Sequence, residues 1–262
     1  MATHPQPVLF VSHGAPTLAL DPGGWGDALH AWAATLDGVE GILVLSAHWE
    51  EPGPVRLMSA AQPATMHDFG GFPEALYQMR YPAPGSPALA ARAADLLRAG
   101  GVAVELDPER PLDHGAWVPL RAAFPDARIP VVQISLPAQR SPRSIHELGR
   151  LLSPLRQEGI LLVASGGIVH NLRRLDWQGQ AAPEPWAQAF EQWVAARIAA
   201  GDPGELLDGA TRAPGYPQAV PTPEHFDPVY FALGAGGESP VRFLYDGWSH
   251  GNLSLRTWAW AA

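Results

Sequence analysis

The sequence predicts an α/β fold built as one domain over its 262 residues, and three observations carry that prediction. Short, continuous apolar runs, of the kind shown by strands buried on both faces, occur at 8–11, 42–45 and 160–164. Segments with apolar residues at helical spacing lie between the strand-like runs. No internal repeat, low-complexity tract or linker divides the chain.

Residues 8–11 form the first strand, ended by the turn Ser12-His13-Gly14. Trp25, Leu29, Trp32 and Leu36 then mark a helix over 23–36, and 42–45 is the next strand, closing in Ser46-Ala47-His48-Trp49. Strand, helix and strand make a βαβ unit with parallel strands, so His13 and His48 fall at strand C-termini, where open α/β sheets place their sites. Residues 62–84 have no strong period, are rich in Gly, Pro and aromatics and read as a functional loop.

Ser86-Pro87 caps a helix reaching about Arg98, with Leu89, Ala93, Leu96 and Leu97 inward and Gly100 as its stop. A strand at 102–106 leads to a loop at 112–117 that carries His114, and 131–136 is again a strand. Ser141-Pro142 opens a helix with Ile145, Leu148, Leu151, Leu152 and Leu155 on one stripe, bent or interrupted at Pro154 and stopped by Gly159. The strand at 160–164 runs into Ser165-Gly166-Gly167 and then His170. A helix spans 185–200, 201–221 reads as a surface excursion, and Thr222 caps a helix that begins at Pro223 and holds His225 in its first turn. The last predicted strand is 241–245.

Composition removes several functional classes. A net charge of −9 argues against a nucleic-acid surface, which needs a basic face. With no cysteine there is no disulfide, thiolate nucleophile or sulfur-ligated metal, so a metal must rest on His and carboxylate. No run approaches the roughly 20 apolar residues of a membrane span, and residues 1–14 lack the features of a signal peptide. The expectation is a soluble cytoplasmic protein.

Histidine carries the chemistry. Neutral imidazole is the commonest protein ligand for zinc, iron and copper, and three imidazoles leave coordination positions open. His13, His48, His114 and His170 all lie beside glycine, small residues or tryptophan at strand ends or in loops, and His225 sits at a helix start. His4 in a tail and His30 and His146 on helices read as solvated. His67 beside Asp68 reads either as a substrate contact or as a loop hydrogen bond, and His250 as structural.

SHGAPT around His13, SAHW ending at Trp49, HDFGGFP from His67, YPAPGSP from Tyr81, DHGAW around His114, VVQISL, LVASGGIVHNL ending at Leu172 and TPEHF around His225 stand in order along the chain. Together they resemble the DODA-type extradiol aromatic ring-opening dioxygenases, the DOPA 4,5-dioxygenase-like relatives of the class III extradiol enzymes, from about residue 8 to 258. The resemblance implies a single catalytic domain over 1–262, folded as a three-layer α/β/α sandwich on a central mixed, mainly parallel sheet. It also implies one divalent ion, Zn(II) or Fe(II), bound by His13, His48 and His225. His170 would be either a fourth ligand or the acid–base group, and His114 would lie near the substrate.

The implied reaction opens the ring of a DOPA-like catechol with O2 to give a semialdehyde. Two other readings use the same residues: a zinc-dependent hydrolase, and a non-catalytic ligand-binding relative.

Overall fold

Along the first strand the side chains alternate between two apolar layers, Val8 and Phe10 joining one and Leu9 and Val11 the other. This is what a strand covered by helices on both faces requires. The computed structural model describes residues 5–179 and 181–262, so His4 lies outside the described residues. In chain order the elements begin with β1 (Val8–Ser12), α1 (Gly23–Ala33), β2 (Gly41–Glu51), β3 (Val55–Met58), α2 (Glu74–Tyr77) and α3 (Pro87–Ala99). There follow β4 (Val104–Asp107), α4 (His114–Ala123), β5 (Val131–Pro137), α5 (Pro142–Leu152), β6 (Ile160–Gly166) and α6 (Pro185–Ala200). The remainder is α7 (Pro203–Gly209), α8 (Tyr216–Ala219), α9 (Pro228–Gly236), β7 (Val241–Tyr245), β8 (Trp248–Ser249), β9 (Leu253–Ser254) and β10 (Thr257–Trp260).

Eight strands form one mixed sheet in the order β4-β3-β5-β2-β6-β1-β10-β7. The central strands β5, β2, β6 and β1 are mutually parallel, β10 runs antiparallel to β1, and β3 runs antiparallel to β5. One layer packs Trp25 and Leu29 of α1 and Trp117 and Leu120 of α4 on Ile42, Val44, Leu161 and Val163. The opposite layer packs α3, α5, α6 and α9 on Leu43, Leu45, Leu162 and Ala164. The predicted three-layer α/β/α sandwich is therefore the observed fold. Among the described residues no helix is long and apolar enough to cross a membrane.

Several expectations change in detail. β1 and β2 are parallel, as predicted, but β6 lies between them. β2 does not stop at residue 45; it continues through His48, and its ladder with β5 breaks register between Leu45 and Glu50. The stretch at 112–117 is not a loop, because Asp113 accepts the Ala116 N–H as a side-chain cap and starts α4 at His114.

Thr222 makes no cap, since its hydroxyl donates to Glu224 Oε1 at 2.8 Å and the segment Pro223–His225 is a single 3-10 turn. Residues 201–221 are not a surface excursion, for α7 and α8 bury Leu206 and Ala219 in the core. Nor is β7 the last strand: β10, buried at all four positions, follows it and covers β1.

Candidate active site

Each histidine that converges on the site is positioned by a separate local device. His13 follows β1 directly, with its backbone N–H bonded to Gly166 O at 3.0 Å. His48 sits in the register break of β2, above α4, where Gly115 is indispensable: a Cβ there would lie 2.5 Å from Ser46 Oγ and 2.9 Å from the His48 ring. His225 belongs to the 3-10 turn, whose close approach depends on Gly166, where a Cβ would fall 2.2 Å from the His225 carbonyl oxygen. That carbonyl accepts the Gly167 N–H at 2.7 Å. The Ser165-Gly166-Gly167 run thus holds a histidine turn and not a phosphate.

The result is a triangle of imidazoles. His48 Nε2 lies 3.1 Å from His13 Nε2 and 3.2 Å from His225 Nε2, and one ligand atom from each ring falls within 4.8 Å of the others. The other ring nitrogens of His13 and His225 fix the tautomers of those two rings. Ser165 Oγ stands 2.9 Å from His13 Nδ1 and donates its only proton to Gly115 O at 2.5 Å, so it must accept from His13 Nδ1–H. Glu224 Oε1 likewise accepts from His225 Nδ1–H at 3.1 Å. His48 Nδ1 faces Asp68 Oδ2 at 3.6 Å.

Nε2 of His13 and of His225 therefore carries its lone pair toward the triangle, where both face Nε2 of His48. Lone pairs so arranged repel one another unless a cation lies among them, and a ligand histidine anchored through its second nitrogen is how proteins build such sites. The donor set fits a divalent ion.

Electrostatics agree. Burial first, then the neighbouring imidazoles, holds His13 and His225 well below the ordinary histidine value. Burial and then His114 lower His48 to about 3, and burial and then His48 lower His170 to about 4. At neutral pH these rings are unprotonated and able to bind a metal.

His170 does not belong to the triangle. Its ring stacks on His225 with centroids 3.4 Å apart and planes 6° apart, and its backbone N–H is fixed to Ala219 O at 2.9 Å. His114 lies against His48, ring centroids 3.9 Å apart, with Nδ1 3.0 Å from Asp68 Oδ2. The other Asp68 oxygen accepts the His114 backbone N–H at 2.9 Å. Burial alone would raise the Asp68 carboxyl, but the His114 contacts and then His48 override it and bring it down to about 2. His48, Asp68, His114, His170, Glu224 and His225 line a pocket of about 910 Å³.

The family model for the catalytic LigB subunit of aromatic ring-opening dioxygenase matches residues 7–255. The chain belongs to this family. As a LigB-family protein it is an extradiol ring-opening dioxygenase, an oxidoreductase. It is 41% identical over 259 residues to a 4,5-DOPA dioxygenase extradiol of Escherichia coli (strain K12), covering 97% of this chain and 94% of that protein. A 4,5-DOPA dioxygenase extradiol of Beta vulgaris is 39% identical over 251 residues, covering 94% and 92%. The crystal structure of an uncharacterized protein from Escherichia coli K12 superposes with a TM-score of 0.82 at 34% identity, covering 97% of this chain and 99% of that one.

Of the histidines singled out in the sequence, His13, His48, His114, His170 and His225 come together in this LigB-family site. His67 does not: its Nε2 faces Met79 O at 3.1 Å, a loop hydrogen bond. His250 stands at the pocket mouth against Trp177, ring centroids 5.4 Å apart. The sequence does not by itself mark Asp68, Ser165 or the carboxylate of Glu224 as the groups that hold these rings. The available signal was adjacency to a histidine or, for Ser165, a hydroxyl at the end of a buried strand.

Proposed function

We propose that the chain opens the ring of a DOPA-type catechol with O2 at one divalent ion held by His13, His48 and His225. The arrangement that carries this reading is the triangle of Nε2 atoms at 3.1 and 3.2 Å, with hydrogen-bond acceptors fixing two of the three tautomers. The ion, Fe(II) in this reading with Zn(II) as the other candidate, supplies the positive charge that favours the catecholate and the coordination positions that bring ring and O2 together.

His170 acts as the base that takes a catechol hydroxyl proton and later returns it. It is assigned that role and not a fourth ligand position because its ring lies parallel to that of His225. Its in-plane lone pair therefore points alongside the triangle and not into it. His114, backed by Asp68, offers its remaining nitrogen to the substrate oxygens from the opposite wall. Both oxygen atoms end in the semialdehyde product, so the reaction needs no external reductant. A cytoplasmic location is part of the same proposal.

The test is to load the purified protein with Fe(II) under anaerobic conditions, add a catechol and admit O2. Oxygen uptake with formation of a yellow ring-opened product is expected, with little or none after Zn(II) loading. Absence of uptake with every catechol tried would overturn the reading.

A further inference from the structure

The pocket is much larger than the ring it is proposed to hold. A volume of about 910 Å³ suits a drug-sized ligand, and a bare catechol fills a minor part of it. The inner wall is the histidine cluster. The outer wall comes from the segment after His170, through Leu172, Arg173, Leu175 and Trp177, together with His250.

Two of these apolar side chains are unusually open, Leu172 at 55% and Trp177 at 59% exposure. The backbone beneath them is nevertheless pinned. Asn171 donates to Gln218 O at 2.7 Å and accepts the Arg173 N–H at 3.1 Å, Asp176 N–H donates to His250 O at 2.9 Å, and Asn252 donates to Arg174 O at 2.9 Å. The exposed apolar rim is therefore a fixed surface.

Charge along this wall is one-sided. Arg174 pairs with Glu184 at 2.6 Å, whereas Arg173 lines the pocket at its exposed edge and pairs with no carboxylate among the described residues. The carboxylates that line the pocket, Asp68 and Glu224, are both engaged by imidazoles. An anionic substituent thus finds an unpaired guanidinium in the outer pocket, and an ammonium finds no free carboxylate.

We propose that the outer half of the pocket is a subsite for a carboxylate-bearing arm on the catechol, anchored by Arg173 over the apolar floor of Leu172 and Trp177. The subsite reads the carboxylate and not an α-amino group. This rests on the ring-opening reading of the inner site and adds the substrate class to it: a catechol with an anionic side arm.

The experiment compares 3-(3,4-dihydroxyphenyl)propionate, DOPA, dopamine and 4-methylcatechol on the Fe(II)-loaded wild type, Arg173→Ala, Arg173→Lys and Arg173→Glu. In the wild type, kcat/KM for the propionate and for DOPA should match each other and exceed that for dopamine by about tenfold, the scale of one charge-assisted contact. Arg173→Ala should collapse the ratio of propionate to 4-methylcatechol through KM, Arg173→Lys should keep part of it, and Arg173→Glu should favour dopamine. A merely structural role for Arg173 would not reverse a charge preference.

Anaerobic calorimetric titration of the same proteins with the propionate reads the subsite without turnover, and about tenfold weaker binding by Arg173→Ala is expected. Equal propionate binding by wild type and Arg173→Ala, or a wild type that prefers dopamine, overturns the subsite. Loss of ring opening with intact propionate binding would instead count against the inner-site chemistry alone.

Discussion

The Arg140 guanidinium meets the Asp227 carboxylate at 2.5 Å and the Glu50 carboxylate at 2.6 Å. It thereby ties the turn carrying His225 to the end of the strand carrying His48. Arg140 and Asp227 side chains are only 6% and 7% exposed, so removing one partner leaves the other charge buried and alone. Arg140→Ala should lower unfolding free energy by about 3 kcal/mol, read by denaturant titration. It should weaken metal affinity as well, because the distance between the segments carrying two of the proposed ligands, His48 and His225, is no longer held.

Truncating Ser165 keeps all three imidazoles of the triangle but frees a tautomer. In Ser165→Ala the proton of His13 is no longer directed to Nδ1, and the ring is free to turn. Loss of such an outer hydrogen bond typically costs about 10–100-fold in metal affinity. Competition with a chromogenic chelator measures it, and an unchanged affinity would show that Ser165 does not orient the ligand.

Asp68→Asn keeps an acceptor for the His114 backbone but removes the negative charge facing both His114 and His48. The expected outcome is a fall in kcat of about tenfold or more with full metal content, since a positioning group is lost while the triangle remains. Metal analysis beside steady-state kinetics distinguishes this from ligand loss.

The metal-free protein should be sensitive to mild acid. His48 and His170 have folded values lowered to about 3 and about 4, below the roughly 6.5 of an unfolded histidine. As pH falls through about 6.5 the unfolded chain binds protons that the native chain refuses, so stability is full above that point and is lost progressively toward about pH 4. Thermal unfolding of chelator-treated protein between pH 8 and 4.5 should show a flat Tm at the upper end and a steady fall below about pH 6.5. A Tm unchanged between pH 7 and 5 would contradict buried neutral imidazoles.

The sequence made the central strands readable because β1, β2 and β6 are short apolar runs with small or histidine-bearing ends. It marked α3 and α5 through the serine caps Ser86 and Ser141, both of which form as side-chain bonds. Where both faces of an element are buried, periodicity vanishes: α9 is covered at every position and β10 at all four, and neither showed an amphipathic pattern. Pro119 inside α4 and the missing polar face of that helix hid its start at His114, although Asp113 is a conventional cap. Convergence of the histidines was an inference from strand ends and motif resemblance. The residues behind them were harder to see, because Asp68 lies in a stretch without periodicity and acts through a contact 46 positions away.

The pairing of Val8 with Trp260 has a kinetic meaning. The ladder beside His13 closes only when opposite ends of the sequence meet, and such distant pairings are slow to form. Until β10 arrives, β1 is a bare edge able to recruit a strand from another molecule. Refolding yield should therefore depend on protein concentration more steeply than the size of the finished core would suggest.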